Sequence, residues 1–149
     1  MALSETSFLV REWNVVRKEI ISLRKRVFMD EYGLPLNFLR HRDDEYRYHL
    51  MVYDDLTGRL VATGNLHGDG HIGRIAILKQ WRTASVGQAV VSYLCQVARV
   101  LELEKVWLNA PADTLPFFAC KPFKLQGDAF PFCGITLQKL EYRLPAVSN

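Results

Sequence analysis

Residues 75–87 limit the possible folds of the chain most, because their pattern predicts a buried strand, a tight basic turn and the start of a long helix. The strand is the apolar run at residues 75–78, and Arg82 stands in the turn. Such a turn points backbone N–H groups and the positive end of a helix at one place, which favours anion binding. Two interpretations follow: a site for a phosphate-bearing ligand, and an ordinary strand-to-helix turn with an exposed arginine.

The rest of the chain alternates predicted strands and helices. Helical spacing of apolar side chains predicts two amphipathic helices, one around residues 16–27 that is closed by Gly33 and Pro35, and one over residues 86–101. A short helix is expected at 114–120, a loop or short helix at 36–46 and a loose tail at 145–149. The predicted strands are residues 7–11, 49–53, 60–66, 71–78, 106–110, 123–126 and 135–142.

Composition limits the classes of protein that fit. The chain has 149 residues, 49% of them hydrophobic, so residues 1–149 are read as one domain with one core. Its formal net charge of +3 suits an anionic ligand and is too small to argue for nucleic acid. Cysteines 95, 120 and 133 are too widely spaced for a disulfide framework or a Cys-x-x-Cys metal site. With no visible secretory signal and no apolar run of membrane-spanning length, we expect a cytoplasmic protein without a membrane partner.

Several short motifs follow one another in a recognisable order. They are Leu-Arg-Lys-Arg-Val-Phe at 23–28, Glu31, Pro35, Asp44, His49, His-Ile-Gly-Arg-Ile-Ala-Ile at 71–77, Arg82, Gly87 and Gly-Ile at 134–135. This order resembles small bacterial single-domain members of the GNAT superfamily of acyl-CoA-dependent N-acyltransferases. The signature of that superfamily, R/Q-x-x-G-x-G/A, lies between the fourth strand and the following helix. Arg82 takes its first position and Gly87 its last.

The resemblance implies an α+β (α/β) fold with a central mixed, mostly antiparallel sheet and helices on both faces. It implies acetyl-CoA, or another acyl-CoA, as cosubstrate, without a metal. The fourth-strand backbone would pair with the pantetheine arm, helix N–H groups would bind the pyrophosphate, and Asn109 would contact the pantetheine amides unless it bonds its own loop. The implied binding residues are Ile75, Ile77, Arg82, Ala84, Ser85, Val86, Gly87, Asn109 and Phe118.

Three positions depart from the family pattern. Ser85 replaces a signature glycine; its hydroxyl could cap N–H groups or bond a phosphate, but it adds bulk. Phe118 stands where the family commonly has the tyrosine that protonates the CoA thiolate, and a phenyl ring has no proton to give. Pro122 replaces the glycine of the same motif, which fixes φ and removes a donor.

Other groups could take over the proton transfers. The alternative acids are Tyr32, Tyr46, Tyr93 and Cys120. The cysteine is better explained as a core residue than as an acid. The candidate bases are Glu31, His67, His71 and Asp113. Sequence alone assigns no catalytic residue among them. Residues 67–71, His-Gly-Asp-Gly-His, could suggest a metal, but a glycine turn flanked by imidazoles explains them and no further ligand is evident.

The leading function is therefore an N-acetyltransferase acting on a primary amine of a small molecule or peptide. A non-catalytic acyl-CoA-binding module, an acyl-homoserine-lactone synthase and a regulatory protein without a CoA site stay open, because a fold does not fix a function. The apolar stretch 130–132, predicted as a loop, could line an acceptor pocket, form a homodimer contact or pack back on the core.

Overall fold

The computed structural model describes residues 5–146, so residues 147–149 of the predicted tail lie outside the described part. Its strands are β1 (Thr6–Arg11), β2 (Tyr48–Asp54), β3 (Leu60–Leu66), β4 (Ile72–Ile77), β5 (Lys105–Pro111), β6 (Lys124–Phe132) and β7 (Ile135–Arg143). Its two α-helices are α1 (Trp13–Arg24) and α2 (Ala84–Val100). A π-helical turn (Lys25–Glu31) continues α1, and short 3₁₀ turns are Leu36–Phe38, Asp44–Tyr46, Lys79–Trp81 and Ala112–Phe118. No helix in the described range is long and apolar enough to cross a membrane.

The first sheet is an antiparallel meander in the order β1-β2-β3-β4. Its middle strands are buried because α1 and α2 cover opposite faces. Met51 of β2 packs with the apolar side chains of α1, whereas its neighbours Leu50 and Val52 join the main core cluster that includes α2. Adjacent residues of a strand point to opposite faces, so the predicted layers, with helices on both sides, are confirmed.

The second sheet has the order β5-β7-β6 and is also antiparallel. One short parallel contact joins the two sheets: His71 pairs with Trp107, whose N–H donates to the carbonyl of Gly70 at 3.0 Å. Gly70 has φ +95, and a Cβ there would lie 2.3 Å from the carbonyl oxygen of Lys105, so only glycine fits this junction. Beyond it β4 and β5 pair no further among the described residues, which leaves an opening between them.

Two sequence predictions were wrong about the residues at which an element begins or ends. The strand expected at 123–126 is β6, which runs on to Phe132 and so includes the stretch predicted as a loop. Every residue of β6 is exposed, so no buried side alternates with a polar side to mark it as a strand. The chain turns only at Cys133 and Gly134, whose φ angles are +49 and +77. The helix expected at 114–120 is the 3₁₀ helix Ala112–Phe118, which begins directly after β5.

Candidate functional site

A cavity of about 460 Å³ occupies the opening between β4 and β5. Both strands contribute to its wall, together with the π-helical turn, the 3₁₀ helix after β5 and the hairpin of β6 and β7. The apolar part of the wall includes Val27, Phe28, Leu34, Leu108, Phe117 and Leu137. A mostly apolar pocket with a few polar groups is the usual form of a small-molecule site.

The outer edge of β4 faces this cavity. Leu78 donates its N–H to the carbonyl of Val61 on β3 at 2.9 Å. In an antiparallel ladder the preceding residue, Ile77, then directs its own N–H and C=O to the opposite edge. Ile75 and Ile77 both line the cavity. This edge can therefore pair with an extended ligand in the way that an added strand would.

A β-bulge interrupts β4 at the same place. Ala76 pairs with Thr63 and Gly73 pairs with Asn65, so two residues of β4 lie opposite one residue of β3. Arg74, one of the two, has φ +47, a left-handed backbone that is strained for a side chain other than glycine. The side chain of Arg74 lines the cavity. The sequence shows an arginine in an apolar strand but gives no sign of the bulge.

The N-terminus of α2 lies after the turn that contains Arg82. Thr83 caps the helix, since its hydroxyl accepts a hydrogen bond from the N–H of Val86 at 3.3 Å. The N–H of Gly87 bonds the carbonyl of Thr83 at 3.0 Å. Two of the four N–H groups expected to bind pyrophosphate are therefore occupied, and those of Ala84 and Ser85 have no partner among residues 5–146. Ser85 does not cap the helix; its hydroxyl lies 3.2 Å from that of Thr83.

Gly87 has a packing role of its own. A Cβ at this position would lie 2.2 Å from the ring of Phe117. The ring belongs to the 3₁₀ helix Ala112–Phe118, which packs on the first turns of α2. Phe117 and its neighbour Phe118 are buried and line the cavity, so Gly87 allows one wall of the cavity to approach the helix.

Arg82 is held by three groups. Its Nε and Nη2 donate to the carbonyl of Ile77 at 3.2 and 2.7 Å. Nη2 also lies 2.8 Å from a carboxylate oxygen of Glu31, and the guanidinium lies 5.5 Å from the ring centre of Tyr32. Arg82 lines the cavity, yet in this structure it neutralises Glu31 and covers the carbonyl of Ile77 on the free edge of β4.

The two remaining predicted contacts also lie in the cavity wall. Phe118 packs edge-on against Phe123, with ring centres 5.3 Å apart, and presents no polar atom. Asn109 lies at the C-terminal end of β5, and within residues 5–146 its side chain makes no hydrogen bond to its own loop. The structure therefore brings Ile75, Ile77, Arg82, Asn109 and Phe118 to one cavity. It places Ala84, Ser85, Val86 and Gly87 in the adjoining first turn of α2.

Among the candidate acids and bases, Tyr32 and His71 line the cavity. Burial raises the pKa of Tyr32 above its ordinary value, with Arg82 opposing the change. Burial and the nearby positive charge of Arg47 lower the pKa of His71 to about 4, so its imidazole is neutral near pH 7. Six other candidates are absent from the wall, namely Glu31, Tyr46, His67, Tyr93, Asp113 and Cys120. His67 pairs with Asp69 at 3.0 Å, and within residues 5–146 no three ligand-type side chains are grouped for a metal.

A buried ion pair supports the loop over the cavity. Arg24 and Asp44 are almost fully buried and make two hydrogen bonds, at 2.9 and 3.2 Å. Arg24 also donates to the carbonyl of Leu39, and Asp44 accepts the N–H of His41 at 2.8 Å. His49 Nε2 lies 2.7 Å from the carbonyl of Asp44. These motif residues hold the loop that carries Phe38 and His41 over the cavity rather than facing a ligand themselves.

Sequence reasoning missed the polar end of the cavity, where Arg47, Asn65 and Arg74 lie together in the wall. Arg47 pairs with Asp43 through Nε and Nη2, at 2.9 and 3.1 Å, and donates Nη1 to the side-chain oxygen of Asn65 at 2.9 Å. These side chains come from a loop, from β3 and from β4, so no local motif joins them. The single available signal was an arginine inside the apolar run 72–77.

Comparison with known proteins agrees with this fold. The model of the Acetyltransferase (GNAT) family matches residues 12–119. The fold is similar to that of an acyl-CoA N-acyltransferase from Pseudomonas aeruginosa, at 21% identity and a TM-score of 0.79, over 92% of this chain and 99% of that one. It is similar to Escherichia coli ElaA, at 18% identity and a TM-score of 0.80, over 92% and 99%. A further similar structure is the CoA-dependent acyl-homoserine lactone synthase BjaI with SAM and isopentyl-CoA, at 13% identity and a TM-score of 0.71, over 94% and 84%.

Proposed function

Because this chain belongs to the GNAT acetyltransferase family, we propose that it transfers an acyl group, most simply acetyl, from acyl-CoA to a primary amine. One observation carries the proposal: the free edge of β4, with Ile75 and Ile77, faces a cavity beside the N-terminus of α2. An extended pantetheine arm needs such an edge, and a pyrophosphate needs such a helix end. The residues present fit both parts of the cosubstrate.

Each part of the site has a separate task in this reaction. The unpartnered N–H groups of Ala84 and Ser85, with Arg82, bind the pyrophosphate. The backbone N–H of Ile77 and the side chain of Asn109 bind the pantetheine arm from the two strands. The apolar wall keeps water from the thioester and strengthens these polar contacts.

The chemistry is an acyl transfer that balances without a redox partner. The amine nitrogen attacks the thioester carbonyl carbon, a C–N bond forms, and the C–S bond breaks. The nitrogen loses one proton and the departing thiolate gains one, which yields an amide and free CoA. Holding both reactants in one cavity supplies much of the rate enhancement.

The proton transfers use groups other than the usual tyrosine. Phe118 has no proton to donate, whereas the hydroxyl of Tyr32 belongs to the same cavity wall. His71 is a weak base because its pKa is about 4, so we assign the amine proton to water. In this proposal the site acts mainly by binding and orienting the two reactants, and side chains contribute little general acid–base catalysis.

A second function has one observation in its favour. The apolar Phe118 removes the usual acid, so a non-catalytic acyl-CoA-binding protein would have the same cavity. Titration calorimetry with acetyl-CoA, followed by an assay of free CoA thiol with a broad panel of primary amines, separates the two. We expect binding and amine-dependent thiol release. Binding without release with any amine would support the second function, and absence of binding would contradict both.

A further inference from the structure

The charged residues in the cavity wall are all arginines. They are Arg47, Arg74 and Arg82, and no aspartate or glutamate among residues 5–146 belongs to the wall. Two of them are neutralised by carboxylates from outside it: Arg47 by Asp43 at 2.9 Å and Arg82 by Glu31 at 2.8 Å. The third, Arg74, has a different environment.

Arg74 has no direct ion-pair partner among residues 5–146, and its Nε is buried without a hydrogen-bond partner. The carboxylates of Asp43 and Asp44 act on its charge from further away, but each of them is already paired with a different arginine, whose charge opposes them. Its guanidinium carbon lies 4.7 Å from the ring centre of Phe38, which covers one face. Removing a charge from water without a partner is unfavourable. The cavity wall therefore holds one guanidinium that no carboxylate of residues 5–146 contacts directly, and an anionic ligand would supply that contact.

The backbone at Arg74 points to the same conclusion. Its φ of +47 costs energy that glycine would avoid, and the β-bulge that contains it directs the side chain into the cavity. Strained backbone of this kind is concentrated at binding and catalytic sites.

A second unpartnered donor belongs to the same wall. Asn65 is almost fully buried, and its side-chain oxygen accepts a hydrogen bond from Arg47. Its Nδ2 is buried with no partner. Asn65 pairs in register with Gly73, the neighbour of Arg74, and the residues Asn65 and Arg74 both line the cavity.

We propose that Arg74 and the Nδ2 of Asn65 bind a carboxylate of the substrate, so that the protein selects a substrate with an acidic group. The inference rests on the proposed acyl transfer. One guanidinium without a direct ion pair and one amide match the single charge of a carboxylate, whereas a phosphate dianion would leave charge unpaired. The carboxylate can belong to the amine acceptor or to the distal end of a dicarboxylic acyl group.

The test compares matched acids and amides. The acceptors are ω-amino acids with one to five methylene groups and the corresponding carboxamides, each with acetyl-CoA, assayed by thiol release. A second arm compares succinyl-CoA with acetyl-CoA on a neutral amine. Both use the wild-type protein, Arg74→Gln, and Arg42→Gln as a control that removes the same charge from an exposed arginine outside the wall.

We expect the wild-type protein to prefer the acid over its neutral counterpart in one of the two arms. A preference in the first arm assigns the carboxylate to the amine acceptor, and a preference in the second assigns it to the acyl group. In Arg74→Gln the kcat/KM for the acid should fall at least tenfold, mostly through KM, with that for its neutral counterpart unchanged. Arg42→Gln should change neither. Equal use of acids and neutral counterparts by the wild type, or an equal loss for both in Arg74→Gln, would overturn the inference.

A binding measurement separates this inference from the proposed function. Ligand-observed NMR with the same amino acids, amides, succinate and succinamide needs no turnover. Selective binding of an acid that is lost in Arg74→Gln, with no thiol release from any acceptor, would preserve the carboxylate site and contradict acyl transfer. Thiol release without selectivity between acids and neutral compounds, in rate and in binding, would preserve acyl transfer and contradict the site.

Discussion

Replacing Glu31 by glutamine should strengthen the binding of acyl-CoA. In the structure Arg82 is paired with Glu31 at 2.8 Å and bonds the carbonyl of Ile77 at 2.7 Å. A pyrophosphate at the N-terminus of α2 must compete with both for the guanidinium. Glu31→Gln keeps the size of the side chain and removes its charge, so Arg82 is released at lower cost.

The size of the effect follows from the exposure of the pair. The side chains of Arg82 and Glu31 are 20% and 26% exposed, so solvent screens their attraction. A pair of this kind is worth about 0.5–1 kcal/mol. The dissociation constant of acetyl-CoA should then fall about two- to fivefold, and the gain should shrink as salt is raised.

The assay is titration calorimetry with acetyl-CoA, and the chain offers a matched control. Glu141 pairs with Lys105 at 3.6 Å and does not line the cavity, so Glu141→Gln makes the same change in net charge elsewhere. Arg82→Ala should weaken binding by roughly 1.5–3 kcal/mol. Adding Glu31→Gln to it should change nothing more, because Glu31 acts through Arg82. Weaker binding in Glu31→Gln than in Glu141→Gln would refute the competition and show that Glu31 positions Arg82 for the ligand.

Three further predictions concern other parts of the molecule. Phe118→Tyr should raise turnover in the thiol-release assay, by at most the roughly 10²–10⁴-fold typical of general acid catalysis, and an unchanged rate would show that another group protonates the thiolate. Gly87→Ala places a methyl group 2.2 Å from the ring of Phe117 and should lower the free energy of unfolding by about 1–3 kcal/mol. Circular dichroism should show a lower melting temperature, and an unchanged melting temperature would contradict the tight packing. His71 has a pKa of about 4 when folded and an ordinary value of 6.5, so the unfolded chain takes up the proton first as pH falls. Stability in urea should fall by about 2–3 kcal/mol between these pH values, and an equally steep fall in His71→Gln would contradict this origin.

Most of the secondary structure could be predicted because apolar periodicity is a local signal. The strand at 71–78 leads directly into a helix, as expected, since both elements have buried sides of clear spacing. The strand β6 was predicted too short because all its residues are exposed and no periodicity marks them. When the side chains of a strand do not pack in the core, the length of the strand is set by the strand with which it pairs, here β7.

The candidate site was only partly predictable, for the same physical reason. Arg82 could be located at a helix end from its neighbours in sequence. Its ion pair with Glu31 is a tertiary contact, which the spacing of residues in the sequence does not predict. The same holds for Arg74: its position in β4 was evident, but the bulge depends on how β4 aligns with β3. Whether a carboxylate of residues 5–146 reaches the guanidinium of Arg74 depends on the fold around the cavity, which no local sequence pattern contains.

The junction between the two sheets has a consequence for how the protein would respond to the proposed cosubstrate. The N–H of Trp107 and the carbonyl of Gly70 connect the chain segments of β4 and β5, which pair no further within residues 5–146, so the N–H of Ile77 points into the cavity. A ligand that pairs with Ile77 would act as the strand missing between the two sheets. Its binding free energy would then add to the stability of the whole chain as its concentration rises. The supply of acyl-CoA could thus set how slowly the amides of β4 exchange with solvent, and how long the protein resists proteolysis.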